Sequence, residues 1–219
     1  MIIEIIGLPG SGKTSIVEIL KKKYKNKIDF YQSGDKKNIK CYFTSFNFLI
    51  KLIFKFPILF FNSHKSFNWL IHKLLYRVCS YNIEESNRNY LLYDSGVLMP
   101  MVSFYIQRNE YKINLDYGKL FNLLPRPDLI IFVDTEIDIV LKRYQRRGGY
   151  RTGNKGSKRV KINSLDEIEN KFRDGEIFVT RLIDYYNNLG IKIIKISNNS
   201  SKLELEKCLK KLDIDQFLF

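Results

Sequence analysis

Eight residues, Gly7-Leu8-Pro9-Gly10-Ser11-Gly12-Lys13-Thr14, separate a short apolar run, Ile2 to Ile6, from a helix-like pattern that begins after Thr14. The spacing Gly-x-x-x-x-Gly-Lys-Thr, placed after a strand and before a helix, fits the phosphate-binding loop pattern. Glycines let such a backbone curl so that successive amides point inward at phosphate oxygens. The helix that follows adds the positive end of its dipole. Lys13 then reaches the β- and γ-phosphates as a point charge, and Thr14 offers its hydroxyl to Mg²⁺. The expected cofactors are ATP and Mg²⁺, with Gly7, Pro9, Gly10, Ser11, Gly12, Lys13, Thr14 and Ser15 as the candidate nucleotide contacts.

The rest of the chain alternates strand and helix patterns. Candidate strands run from Ile2 to Ile6, Ile28 to Gln32, Asn89 to Asp94, Asp128 to Asp134 and Ile191 to Ile196; the fourth is the clearest by its β-branched content. Helical periodicity covers Ser15 to Tyr24, most of Thr44 to Glu85 with breaks near Pro57 and Asn62-Ser63, Val97 to Arg108, Ile137 to Arg147, Leu165 to Asn188 and Leu203 to Leu212. Ser164-Leu-Asp-Glu167 has the spacing of a capping box at the start of the long helix, and Gly190 stops it. Such alternation predicts an α/β fold with a parallel sheet and helices on both faces, because each crossover must lay a helix over the sheet. At 219 residues the chain reads as a single domain, 1–219.

A magnesium-bound nucleotide needs a second acidic anchor, usually an Asp at the end of an apolar strand. Asp94 and Asp134 both qualify. Asp94 is preferred, since in this sheet type the strand beside the loop-bearing strand is generally the third in chain order. Asp134 then serves as a helix cap or turn residue. Between Ile139 and Leu165 there is no acidic residue, while Lys142, Arg143, Arg146, Arg147, Arg151, Lys155, Lys158, Arg159 and Lys161 are all basic. Arg143 and Arg147 share a helix face at i, i+4 and repel unless an anion lies between them. Guanidinium forks suit phosphoryl oxygens in transfer, and the glycine-rich segment 148–163 predicts a lid that closes over the nucleotide and excludes water.

Composition narrows the partners. A net charge of +14 points to a polyanionic ligand. Cys41, Cys79 and Cys208 are odd in number and lack a C-x-x-C pair, so they read as ordinary thiols in a reducing compartment, without a disulfide framework or zinc site. No signal peptide pattern is present, and the predicted location is cytoplasmic. The apolar stretch Phe48 to Phe61 contains Lys51, Lys55 and Pro57 and is shorter than the about twenty residues a span requires, so no transmembrane segment is predicted. His64 and His72 show no metal spacing.

The loop GLPGSGKT, the strand LLYDSG and the run from Pro127 through Asp128, Asp134, Arg143 and Arg147 to Gly148 together resemble P-loop kinases of small molecules, most closely the thymidylate kinase-like group of nucleoside and nucleotide kinases. The resemblance is one of motifs in element order over most of the chain. It implies a three-layer, five-stranded parallel sheet ordered 2-3-1-4-5, an adenine contact near Ser197-Asn-Asn-Ser-Ser201, and an acceptor-side helical region over about 42–88. By the same resemblance Lys13, Asp94, Arg143, Arg147 and Arg151 are the catalytic candidates, and Thr14 with Asp94 the metal candidates. The group typically carries an Arg-Glu-Pro-like segment after the second strand and an Asp-Arg pair after the third. Here those places read Gln32-Ser-Gly-Asp35 and Asp94-Ser95, so the acceptor half departs from thymidylate binding.

The predicted activity is therefore transfer of the γ-phosphoryl group of ATP to a small acceptor, with a nucleoside monophosphate favoured. A hydroxyl on a nucleoside, sugar or lipid headgroup is the alternative, and it benefits from a carboxylate base, for which Asp94 and Asp35 are the candidates. Tyr105, Gln107 and Arg108 lie where a helix after Asp94 faces such an acceptor, and Phe43, Phe46, Phe67, Trp69 and Tyr76 are either a stacking platform or core. A nucleotide-dependent regulatory or nucleic-acid-binding protein is the reading from a different class. The phosphate loop weighs against nucleic acid as partner; a homodimer is an assembly this reading admits.

Overall fold

The computed structural model describes residues 1–25, 27–31, 45–57, 65–85, 90–108, 116–146, 165–199 and 202–211. Strand β1 (Ile2–Ile6) is buried along its whole length, as a central strand covered on both faces must be. It pairs in parallel with β3 (Leu91–Tyr93) on one side and β4 (Leu129–Asp134) on the other. Strands β2 (Asp29–Tyr31) and β5 (Lys192–Ser197) form the edges, giving the five-stranded parallel order β2-β3-β1-β4-β5 that the family resemblance implied. The carboxylate of Asp128 accepts from the Ile2 amide at 2.6 Å and fixes where β1 starts against β4.

Side chains alternate along β1, so the two faces of the sheet build two cores. Ile3 and Ile5 face helix α1 (Lys13–Lys23), through Ile16, Val17 and Leu20, and helix α8 (Lys202–Lys211), through Leu205 and Leu209. Ile2 and Ile6 face a larger cluster supplied by α2 (Phe46–Lys55), α3 (Lys65–Glu85), α4 (Leu98–Arg108), α5 (Tyr117–Phe121), α6 (Ile137–Arg146) and α7 (Leu165–Asn188). The result is three layers. Three lysines, Lys21 to Lys23, close the last turn of α1, where cations complement the helix dipole.

Most element boundaries agree with the sequence expectation to within a residue or two. Helix α5 was not anticipated; five residues are too few for a periodic pattern, and its start depends on the Asp116 carboxylate accepting from the Lys119 amide at 3.0 Å. The run Ile2 to Ile6, read as apolar, contains the fully buried Glu4. Cys79, expected as a thiol, is buried and disulfide-bonded, with its partner outside the described side chains. Chain spacing alone does not reveal which Cβ atoms the fold brings together. Among the described residues no helix is long and apolar enough to cross a membrane, and α2 ends at Lys55, short of Pro57.

Candidate functional site

Parallel pairing brings the carboxyl ends of β1, β3 and β4 to one rim of the sheet, and the segment from Gly7 to Lys13 lies there. Three of its glycines have positive φ: 155° at Gly7, 90° at Gly10 and 93° at Gly12. Sterics exclude larger residues as well. A Cβ on Gly7 would stand 2.7 Å from the Val133 carbonyl oxygen, and one on Gly12 would overlap the side-chain amide of Asn198. The segment curls tightly, with the Ser11 amide donating to the Leu8 carbonyl at 3.0 Å, and opens directly into α1.

Inside the curl, the Lys13 ammonium donates to the carbonyls of Gly7 at 2.9 Å and Leu8 at 2.8 Å. Behind it, the Ser11 carbonyl accepts from Thr135 Oγ1 at 3.0 Å, Asn198 Nδ2 at 2.5 Å and Arg143 Nη1 at 3.4 Å. Arg143 also donates through Nη2 to the Asn198 carbonyl at 3.1 Å. The guanidinium of Arg143 is therefore anchored beside Gly12, between the loop and the end of β5. Thr14 is exposed and Ser15 half-buried at the start of α1.

Asp94 follows β3 at the same rim. Burial raises its pKa, and the charges of Lys13, Lys21 and Arg77 oppose that rise. Three cations thus act on one half-buried carboxylate. Asp134, the other candidate, pairs instead with Lys195 of β5 at 2.8 Å on the surface, and its carbonyl accepts the Asn198 amide at 2.8 Å.

Two side chains next to Asp94 escaped the sequence reading. Arg77 on α3 is only 4% exposed, and its charge acts on both Asp94 and Glu4. Glu4, on β1, accepts from the Tyr81 hydroxyl at 2.5 Å and from the Leu98 amide at 2.7 Å. Burial pushes the Glu4 carboxyl up to about 7, against the lowering effect of those hydrogen bonds and of Arg77. A signal existed for each. Glu4 is the one charge in a strand buried on both faces, and Arg77 interrupts the stripe Leu70, Leu74, Val78, Tyr81 that packs α3 into the core.

The structure brings Lys13, Asp94 and Arg143 to one rim of the sheet, around the curl of Gly7 to Lys13. Asp35, Arg147, Arg151 and the lid 148–163 lie outside the described residues, as does Ser164 of the expected capping box; Arg108 ends α4 with its side chain outside them. Tyr105 stacks on Phe178 with ring centroids 4.4 Å apart, in an aromatic cluster shared by α4, α5 and α7. Phe46 is exposed, and Trp69 packs against the larger core.

No protein-family model and no curated protein sequence matches this chain. Solved structures do match over nearly its whole length. Deoxyadenosine kinase from M. mycoides with bound dATP aligns with a TM-score of 0.56 at 15% identity, covering 96% of this chain and 97% of that one. The same kinase with dCMP and dCDP as products gives 0.55 at 18% identity, covering 96% and 97%. Thymidylate kinase from Candida albicans gives 0.53 at 14% identity, covering 99% and 91%. The fold is that of the P-loop nucleoside and nucleotide kinases.

Proposed function

We propose that this chain is an ATP- and Mg²⁺-dependent phosphotransferase that acts on a nucleoside monophosphate. The observation that carries the reading is the placement, at one rim of the sheet, of a glycine-curled loop with the Lys13 ammonium inside it and of the half-buried Asp94, whose pKa burial raises and the Lys13 charge opposes. Bound magnesium would neutralise charge that builds up in transfer. Thr14 and Asp94 offer the hard oxygen donors that suit this ion. On binding nucleotide, Lys13 exchanges the Gly7 and Leu8 carbonyls for phosphate oxygens. Arg143 and Asn198 hold the loop from behind. Lys13 and Lys21, whose charges act on Asp94, favour an anionic acceptor, which already presents an ionised oxygen and needs only positioning, while the buried Arg77 acts on Asp94 from beneath.

A second reading, transfer to a nucleoside hydroxyl, is favoured by one specific feature. Burial raises the pKa of Asp94, and Ser95 rather than a cation follows it in the chain, a setting that suits a general base. The likeness to a deoxyadenosine kinase as well as a thymidylate kinase agrees with either acceptor.

The test is ADP formation from ATP and Mg²⁺ with a panel of nucleoside monophosphates and nucleosides. A monophosphate should stimulate turnover, and Lys13→Ala should cut it by about 10²-fold or more, the scale for removing one charge-stabilising donor. Stimulation by nucleosides alone would establish the hydroxyl reading. Turnover that responds to polynucleotide and to neither acceptor would sink both.

A further inference from the structure

We infer that Glu4 is a positioning residue for Asp94: from inside the sheet it holds the turn Asp94 to Leu98 in the one arrangement that keeps the Asp94 carboxylate beside Lys13. This extends the proposed function and rests on it for the role of Asp94. Glu4 pairs with Tyr93 in the β1–β3 register, so the same residue that fixes the end of β3 by backbone also reaches the turn beyond it by side chain. One carboxylate oxygen accepts from the Leu98 amide at 2.7 Å, at the first position of α4, where an amide has no partner within the helix. The other accepts from Tyr81 of α3 at 2.5 Å. Gly96 lies against the carboxylate so closely that a Cβ would stand 2.5 Å from Oε2, leaving room for no other residue at that place in the turn.

Elements β1, α3 and α4 thus meet at the Glu4 carboxylate, which lies against Gly96, two residues past Asp94. The groups around it are Tyr81 and Arg77 from α3, the Leu98 and Met99 amides from α4, and Tyr186 from α7, whose hydroxyl feels the Glu4 charge. All these contacts lie beneath the rim and none is offered to a ligand. Glu4 acts through the backbone it fixes. A glutamine keeps an acceptor for the Leu98 amide and a polar partner for Tyr81; an alanine keeps neither and leaves the Leu98 amide buried and unanswered.

The experiment is calorimetric titration of ATP into the full chain, with and without Mg²⁺, for the wild type, Glu4→Ala, Glu4→Gln, Tyr81→Phe and Asp94→Asn. Asp94→Asn should abolish the magnesium-linked gain in ATP affinity. Glu4→Ala should reduce that gain by about tenfold while changing metal-free ATP affinity less than twofold, Glu4→Gln should restore most of it, and Tyr81→Phe should fall between. If Glu4→Ala melts below the assay temperature, Tyr81→Phe, which removes one hydroxyl and keeps the ring, carries the comparison. The inference is overturned if Glu4→Ala or Tyr81→Phe retains the full magnesium-linked gain, if Glu4→Gln loses as much as Glu4→Ala, or if the wild type shows no such gain. A wild type that binds ATP with a magnesium-linked gain but phosphorylates no member of the acceptor panel would defeat the proposed function alone, because the Glu4 comparison is read entirely from binding.

Discussion

In the folded chain Glu4 holds its proton more tightly than an ordinary carboxylate, with a pKa of about 7 against 4.5. Unfolding therefore releases a proton between those two values, and stability falls as pH rises through that window. Full burial leaves no solvent screening to discount, so the loss approaches about 3 kcal/mol for a shift of this size. Glutamine at position 4 cannot titrate. From pH 5 to pH 8 the stability of the wild type relative to Glu4→Gln should fall by up to that amount, as read from urea melts of both proteins; a difference that stays flat with pH would refute the raised pKa. At this scale the sequence was partly legible. Lys13 and Asp94 announced themselves because each belongs to a motif with fixed spacing or ends an apolar strand. Glu4 and Arg77 belong to no motif. Their meaning comes from being buried beside each other and beside Asp94, a fact of three dimensions that periodicity in one dimension assigns to the core.

Helices are where packing, rather than pattern, decides the outcome. Gly175 lies in the middle of α7, a place where glycine costs about 1 kcal/mol in helix propensity. The reason is proximity: a Cβ there would stand 2.5 Å from Cγ1 of Ile106 on α4 and 3.3 Å from Leu8 in the loop. Gly175→Val should force the two helices apart and destabilise the chain by about 1–3 kcal/mol, the usual cost of overpacking, measurable by denaturant unfolding. Apolar stripes pointed to α4 and α7, since each buries a continuous face. Which residues of the two stripes meet was not readable, because it depends on the crossing of the helix axes. The same limit applies to α2, where Phe46, Ile50, Ile53 and Phe54 are exposed while Phe48 and Leu52 are buried.

For the molecule as a whole, topology was the most legible feature. Strand alternation pointed to a parallel sheet with helices on both faces, and the order β2-β3-β1-β4-β5 is the one that the resemblance to thymidylate kinase-like proteins implied. Net charge acts at this scale too. A net charge of +14 would favour the approach of an anionic ligand such as the proposed ATP. Raising salt from 0.05 M to 0.5 M shortens the Debye length to less than half, so the association rate of ATP in stopped flow should fall by about tenfold, with a smaller change in dissociation. An association rate indifferent to salt would show that the charge is diffuse and plays no part in capture. A last consequence follows from the three donors gathered on the Ser11 carbonyl. They come from Thr135, Arg143 and Asn198, the last of them 187 residues further along the chain. A ribosome adding about 5–20 residues per second needs roughly 10–40 s to travel that far. For that interval the nascent polypeptide carries a Gly7-to-Lys13 curl that has been made but not yet set, and a segment made well before its three donors is among the last to reach its final shape.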